Sequence, residues 1–238
     1  MVGGADVDGV LLNIEPGIVL TGSFRSEGGD LGLLSSKTPG LKPAIGLVEE
    51  EPTLISPRRQ ADASGQFELP NVPPGRYLVE ITGLPENVYI KNMRYVTRIQ
   101  APGQPFDLTR GGGTLDFILS DKASSIGGFL RDTNGNALNG VTVSLWPKIL
   151  PRWNATFGIK STVTDLNGKF EISGLAPGDY YVAGWEGEAP NSGVIRIPGL
   201  LDRFAGAATT ITVSEGSRIS ADAKLIRANE IAAELARQ

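Results

Sequence analysis

The sequence contains no cysteine and no histidine among its 238 residues. These absences exclude disulfide bonds, thiolate clusters, Cys or His zinc sites, cysteine nucleophiles and every catalytic triad or general base that depends on an imidazole ring. The residues that remain form no recognised catalytic pattern. We therefore predict a protein that is not an enzyme and that needs no cofactor.

The sequence also lacks any concentration of positive charge and any long apolar run. Its 22 basic and 26 acidic residues give a net charge of −4, and its longest basic run is Arg58-Arg59. Nucleic-acid binding leaves a basic footprint, so we expect no nucleic-acid partner. No apolar stretch approaches the roughly 18 residues of a membrane-spanning helix, and we expect no membrane span.

The first residues, MVGGADVDGVLLNIEPG, lack the basic flank and long apolar stretch of a signal peptide. Two expectations follow for the compartment. Either the protein stays inside the cell, or a leader has been removed before this point.

An internal repeat is the most informative feature that the sequence does contain. Residues 62–81 (DASGQFELPNVPPGRYLVEI) align without gaps with residues 165–184 (DLNGKFEISGLAPGDYYVAG), at an offset of 103 positions. In each copy the Ser-Gly or Asn-Gly pair and the Pro-Gly pair predict tight turns. The alternating apolar residues between and after these turns predict short strands.

A repeat of about 100 residues has the size of a whole domain. Strands at this spacing predict an all-β fold of two tandem antiparallel Greek-key β-sandwiches, of the transthyretin-like or immunoglobulin-like kind. We place the first domain at 15–121 and the second at 122–227, joined by the short link DKASS at 121–125. A link this short predicts closely apposed domains.

The two ends of the chain predict additional elements. Residues 1–14 predict a leading strand that is similar to the closing strand of a preceding repeat, which would place them inside a longer array. Residues 228–238 (ANEIAAELARQ) are strong helix formers and predict a short C-terminal helix, with Ile231 and Leu235 on one face.

Tyr77 and Tyr180 occupy equivalent positions at the start of a strand that follows a Pro-Gly turn. Each aromatic ring is large enough to fill a core position, and its hydroxyl then needs a partner. We predict that both rings are buried and that both hydroxyls bond to the backbone.

Asp132, Asn134 and Asn136 alternate along the sequence DTNGN, as oxygen ligands do in a short calcium loop. Their spacing departs from that of an EF-hand, whose glycine is sixth and whose glutamate is twelfth. Asn-Gly is also typical of a hairpin turn, as in Asp165-Leu-Asn-Gly. We interpret the segment as a turn and keep a metal site as the alternative.

Three tryptophans lie in the second half of the chain, at Trp146, Trp153 and Trp185. Exposed aromatic rings form platforms for sugar rings, which makes these residues candidates for carbohydrate binding. Aromatic rings also fill a core or an interdomain contact, and this packing interpretation is the one that we favour. Both interpretations stay open at this point.

Two acidic clusters, Glu49 to Glu51 and the pair Glu186 and Glu188, invite comparison with the carboxylate pairs of glycosidases. Neighbouring residues of a strand point to opposite faces, so we interpret both clusters as solvated edges. Asn154-Ala-Thr matches the pattern for N-glycosylation, and its use depends on the host.

The segments GGFLRDTNGNALNGVTVSL and TVTDLNGKFEISGLAPGDYYV, within about 125–185, resemble the carboxypeptidase regulatory-like domain, a transthyretin-like β-sandwich. The first copy is divergent and keeps G-x-F-x-L-x-x-V-x-P-G-x-Y. The resemblance implies a non-catalytic module of the kind that large bacterial proteins, often exported or surface-associated, carry in tandem. The chain contains no peptidase portion, and without histidine it cannot supply the usual zinc ligands.

These observations favour a non-catalytic structural or binding module, a spacer or adhesion unit, of a bacterial protein that is secreted, periplasmic or on the cell surface. One alternative is a carbohydrate-binding module that uses aromatic residues of the second domain. Another is a self-assembling surface or filament subunit, in which residues 5–14 add as a strand to a neighbour's sheet edge. The partners expected are polysaccharide, neighbouring protein domains or further copies of the chain.

Overall fold

The computed structural model describes residues 17–28, 42–49, 57–100, 102–149, 158–187 and 199–237. The predicted leading strand at 1–14 lies outside these ranges. The strands in them are β1 Ile18–Ser26, β2 Ala44–Glu49, β3 Arg58–Gln60, β4 Gln66–Val72, β5 Arg76–Thr82, β6 Tyr89–Tyr95, β7 Arg98–Gln100, β8 Phe106–Asp107, β9 Gly113–Ser120, β10 Ser124–Phe129, β11 Thr142–Pro147, β12 Lys160–Val163, β13 Lys169–Leu175, β14 Gly178–Trp185, β15 Thr209–Val213, β16 Arg218–Ser220 and β17 Lys224–Ile226.

Two helices complete the described elements, α1 at Leu200–Arg203 and α2 at Ala228–Leu235. Helix α2 is the predicted C-terminal helix, and its Ile231 and Leu235 pack against a buried cluster of aromatic residues. Neither helix, nor any other in the described ranges, is long and apolar enough to cross a bilayer. The all-β class and the short C-terminal helix are therefore confirmed.

The strands form four sheets, two in each half of the chain. The first half has the orders β4-β1-β9-β6-β7 and β3-β2-β5-β8, and the second half has β13-β10-β16 and β12-β11-β14-β15, with β17 beside β14. The order β4-β1-β9 thus recurs as β13-β10-β16, and β3-β2-β5-β8 recurs as β12-β11-β14-β15. The two halves share one topological plan.

The sheets are mixed rather than purely antiparallel. Strand β1 runs parallel to β9, β10 runs parallel to β16, and β14 runs parallel to β17. The prediction of antiparallel sandwiches did not include these pairs. Side chains alternate along a strand in the same way whatever the direction of its neighbour, so the sequence pattern carries no information about direction.

Each half encloses its own buried cluster between its two sheets. In the first half, the rings of Phe24, Phe67 and Phe117 lie with centroids 5.0 to 6.2 Å apart. In the second half, the corresponding cluster contains Ile126 and Phe170. Phe67 and Phe170 alternate with exposed residues along β4 and β13, as the repeat predicts.

Glycine is required at one equivalent position in each half, Gly22 on β1 and Gly128 on β10. A Cβ atom at Gly22 would overlap the carbonyl oxygen of Leu115, and one at Gly128 would overlap that of Ala221. The backbone of the parallel neighbour approaches closely at both places. This close approach is the packing reason for a glycine at each position.

Candidate functional site

Trp146 and Trp185, two of the three candidate sugar-binding residues, are buried, with exposed fractions of 0% and 1%. Their ring centroids lie 5.9 Å apart, and Trp185 meets Phe204 edge to face at 5.3 Å. Leu200 and Leu201 of helix α1 belong to the same buried cluster. Neither ring offers a face to a sugar, so these two candidates are corrected to packing residues.

Trp153 lies outside the described residues, so its candidacy stays a prediction. The indole Nε1 atoms of Trp146 and Trp185 have no hydrogen-bond partner within the described ranges. Burial of two donors without partners costs free energy, which the packing of the rings must outweigh.

The candidate metal ligand Asp132 holds a tight turn. Its Oδ1 accepts the backbone N–H groups of Asn134 and Asn136, both at 2.8 Å, and its Oδ2 accepts the side-chain amide of Asn136 at 2.9 Å. These hydrogen bonds, with that from the Asn136 side chain foremost, hold the pKa of the Asp132 carboxyl below its usual value.

The same turn occurs at Asp62 and Asp165. Oδ1 of Asp62 accepts from the N–H groups two and four residues further on at 2.8 and 2.9 Å, and Oδ1 of Asp165 accepts its two at 2.9 Å. Because all three carboxylates bind N–H donors in this way, we interpret Asp132 as a turn residue. No group of three acidic side chains suited to a cation occurs within the described ranges.

The two residues of the acidic clusters that lie within the described ranges, Glu49 and Glu186, have structural partners. Glu49 Oε1 lies 3.0 Å from the hydroxyl oxygen of Tyr77, and Glu186 accepts the N–H of Ala228 at 2.9 Å, at the start of α2. Glu50, Glu51, Glu188 and the candidate glycosylation residue Asn154 all lie outside the described residues.

The prediction for the paired tyrosines is confirmed. The Tyr77 hydroxyl donates to the carbonyl oxygen of Pro73 at 2.7 Å, and the Tyr180 hydroxyl donates to that of Ala176 at 2.9 Å. Both rings are buried. Burial raises the pKa of both hydroxyls, and Glu49 adds to the effect at Tyr77.

A polar junction joins the two halves, and sequence analysis did not identify it. Glu215 lies in the turn between β15 and β16. Its Oε1 accepts the hydroxyl of Tyr89 at 2.8 Å and that of Ser120 at 3.1 Å, both from the first half. These residues are 126 and 95 positions from Glu215, so no local pattern could have revealed the contact.

Backbone hydrogen bonds fix the link on both sides of this junction. The N–H of Ala123 donates to the carbonyl oxygen of Asn87 at 3.1 Å, and the N–H of Gly216 donates to that of Lys122 at 2.8 Å. One bond ties the link to the first half and the other ties it to the β15–β16 turn.

A cluster of serines joins the same turn to the start of β10. The Ser124 hydroxyl donates to the carbonyl oxygen of Ser214 at 2.6 Å and accepts the N–H of Ser217 at 3.0 Å. Ser124 is itself buried. The start of β10 is therefore anchored to the turn that carries Glu215.

The electrostatics of the junction favour an ionised Glu215. The hydrogen bonds from Tyr89 and then Ser120 lower the pKa of the Glu215 carboxyl, and Lys91 and Lys122 lower it further. Burial and the neighbouring carboxylate raise the pKa of the Tyr89 hydroxyl, which keeps it a donor.

Beside the junction, a cleft of about 860 Å³ opens between the two halves. The first half contributes the end of β5 and the loop that follows it, and the second half contributes β12 and the end of β13. Lys160 is the only cationic residue among the described residues that line it.

Comparison with known proteins gives one curated relative and several weak structural likenesses. No family model matches the chain. Colossin-A of Dictyostelium discoideum is 28% identical over 160 residues, which cover 60% of this chain and 1% of Colossin-A. The chain thus spans about one hundredth of the length of that relative.

Among solved structures, the Bacillus anthracis TIE protein has a TM-score of 0.30 and 16% identity, with 88% of this chain and 34% of that one covered. A minor pilin of Streptococcus agalactiae has a TM-score of 0.30 and 15% identity, covering 87% and 94%. A C-terminal fragment of a pilus adhesin from Lactobacillus rhamnosus has a TM-score of 0.28 and 10% identity, covering 87% and 97%. Superpositions this weak define no shared function, and the β-sandwich assignment rests on the strands and sheets described above.

Proposed function

We propose that the chain is a non-catalytic spacer in which two β-sandwich domains, 15–121 and 122–227, are held in a fixed relative orientation. The observation that carries this proposal is the junction. Glu215 of the second half accepts hydrogen bonds from Tyr89 and Ser120 of the first. A charged acceptor shared by two donors is stronger and more directional than a neutral contact.

The organisation of the two halves supports the proposed domain division. Each half has a buried cluster of its own, and the same strand order recurs in both. Such units keep their internal structure when their relative orientation changes, and domains joined by a simple linker move by default. A spacer therefore needs contacts that restrain the link, and the junction supplies them.

The proposed setting is a longer, modular protein that is exported or on the cell surface. This part rests on the resemblance to carboxypeptidase regulatory-like domains and is compatible with the likeness to a segment of Colossin-A. In such a setting the chain would separate or connect other domains, and its partners would be those domains.

Distances between the two halves test the proposal directly. Because the chain contains no cysteine, spin labels can be placed only at Ala63→Cys and Leu166→Cys, exposed and equivalent turn positions of the two repeats. Double electron–electron resonance should give one narrow distance distribution. Glu215→Ala should broaden it, whereas Glu68→Ala, an exposed carboxylate on β4, should leave it unchanged.

A broad distribution in the chain with an intact Glu215 would contradict the proposal. So would a Glu215→Ala variant whose distribution matches that of the parent, because the junction would then contribute nothing to orientation.

Acid should loosen the junction in the same measurement. The folded-state pKa of Glu215 is lowered below its ordinary value of 4.5. Its contribution is therefore complete above about pH 4.5 and is lost as the pH falls through the lower folded value. The distance distribution should broaden in acid, and the Glu215→Ala variant should not respond further.

The two alternative functions depend on residues outside the described ranges and stay predictions. Of the three candidate tryptophans for carbohydrate binding, Trp153 stays a prediction, and a glycan array with Trp153→Ala tests it. Self-assembly depends on residues 1–14, and sedimentation of the chain with and without them tests it.

A further inference from the structure

The cleft between the two halves has the dimensions and walls of a small-molecule site. Its volume of about 860 Å³ falls within the range of roughly 300 to 1,000 Å³ that is usual for ligand sites, which also favour domain interfaces. Partly exposed apolar side chains line the cleft from both halves, Ile81 and Leu84 from the first and Pro147 and Ile159 from the second.

Lys160 brings a single positive charge to this apolar surface. It is the first residue of β12, an edge strand of its sheet. Its ammonium group lies next to the backbone of Gly174. A Cβ atom added to Gly174 would lie 2.7 Å from Lys160 Nζ and 3.4 Å from the carbonyl oxygen of Glu86. The ammonium group therefore lies where β13 of the second half meets the loop after β5 of the first.

The Lys160 ammonium forms no ion pair or hydrogen bond with the part of the chain that the structure describes. Burial lowers the pKa of the Lys160 ammonium group, and the opposing effect of the Glu86 charge is smaller. Lys160 as a residue is nevertheless solvent-accessible, so a ligand can reach it. An ammonium group that lies beside apolar surface, without a partner among the described residues, gains a charge-assisted hydrogen bond from an incoming anion.

The acidic residues of the cleft limit the charge of that ligand. Glu80 is neutralised by Arg58 at 2.9 Å, whereas Glu86 and Glu171 also line the cleft and would repel additional negative charge. These carboxylates exclude a polyanion and leave the Lys160 ammonium as the one place in the described lining for a single anionic group.

We propose that this cleft is a binding site for a small amphipathic monoanion, with an apolar body between the two halves and a carboxylate or sulfonate at Lys160. The proposal is independent of the spacer function, since a rigid junction and an occupied cleft are compatible.

Fluorescence titration of the full chain with 8-anilinonaphthalene-1-sulfonate tests this site, with dodecanoate as competitor. We expect saturable binding of one equivalent. Lys160→Met, which keeps the apolar stem, should weaken binding at least about tenfold, the loss expected when one charge-assisted hydrogen bond is removed. Lys160→Arg keeps the charge and should stay within about threefold of the parent by the same reasoning.

Lys169→Met is the matched control, because Lys169 is an exposed lysine on β13 that does not line the cleft. It should bind as the parent does. Near-ultraviolet circular dichroism of each variant separates loss of the site from loss of packing. Equal affinity of Lys160→Met and the parent, or a signal that never saturates, would overturn the proposal.

If Lys160→Met does not fold, chemical-shift mapping on the unmutated chain tests whether the probe binds in the cleft. Perturbations by the probe that are concentrated at 83–88 and 160–162 support the site. Perturbations elsewhere, or none, overturn it.

Discussion

The sheets β3-β2-β5-β8 and β12-β11-β14-β15 have the same strand order, yet their outer faces differ in chemistry. Val48 pairs with Leu78 in the first sheet, and Trp146 pairs with Tyr181 at the equivalent place in the second. Thr82, exposed at the end of β5, corresponds to Trp185, buried at the end of β14.

The first outer face carries an ion pair near the aliphatic residues Val48 and Leu78, whereas the second carries aromatic rings. The ion pair of Arg58 and Glu80 lies over Gly46, whose added Cβ would be 3.3 Å from the Arg58 Nε. On the second face, helices α1 and α2 cover the tryptophans. The same strand order thus occurs with an ion pair on one outer face and with a covered aromatic cluster on the other.

Removal of an aromatic ring from the covered outer face of the second half should give the largest loss of stability. Trp185→Ala should lower the free energy of unfolding by about 3–5 kcal/mol, as is usual for loss of a buried aromatic ring. Thr82→Ala, at the equivalent exposed position, should change it by less than about 0.5 kcal/mol. Urea denaturation followed by circular dichroism measures both, and equal losses would abolish the distinction between the two faces.

Substitution of the equivalent glycines on the inner faces should destabilise the two halves to a similar extent. Gly22→Ala and Gly128→Ala each force a Cβ against a neighbouring backbone oxygen, and each should destabilise the chain by about 1–3 kcal/mol or more. Gly127→Ala is the control, since the nearest atom to its added Cβ is 3.7 Å away. A tolerated Gly128→Ala beside a damaging Gly22→Ala would show that the two halves pack differently inside.

Loss of the equivalent tyrosine hydroxyls should destabilise the two halves by a similar and smaller amount. Tyr77→Phe and Tyr180→Phe each remove one hydrogen bond to the backbone and should cost about 0.5–1.5 kcal/mol. The folded-state pKa of both hydroxyls is raised above the ordinary value of 10.0. Their stabilising contribution is therefore complete below about pH 10 and is lost as the pH rises above it.

Thermal melts across pH 8 to about 12 should show this loss in the parent and a smaller loss in each Phe variant. Identical alkaline slopes for the parent and both variants would contradict the assignment of the titration to these hydroxyls.

The smallest loss of stability is expected at the ion pair on the outer face of the first half. Arg58→Ala should cost about 0.2–1 kcal/mol, because both partners of its ion pair with Glu80 are partly exposed. The effect should shrink as salt is added. A salt-independent loss above that range would indicate that this face is packed as tightly as its counterpart.

Local features were predictable because they depend on neighbouring residues. The turn at Asp165 and strand β13 follow from Asn-Gly and from alternation within about ten positions, and helix α2 follows from its composition. The tyrosine contacts were also predictable, since each hydroxyl bonds to a backbone oxygen four residues earlier.

Long-range features were not predictable from these patterns. Strand direction in the pairs β1–β9 and β10–β16 leaves no trace in side-chain alternation. The junction depends on Tyr89 and Glu215, which are far apart in the sequence. Neither residue type is unusual in its local context, so nothing marked the pair in advance.

Local sequence patterns specify the class of the fold, its repeated unit and its turns, because glycine conformation and side-chain alternation are local properties. Which tryptophans are buried, how the halves are joined and where Lys160 lies depend on long-range contacts. Those outcomes depend on α1, on the β15–β16 turn and on the contact between the two halves. Each brings together residues that only the complete fold makes neighbours.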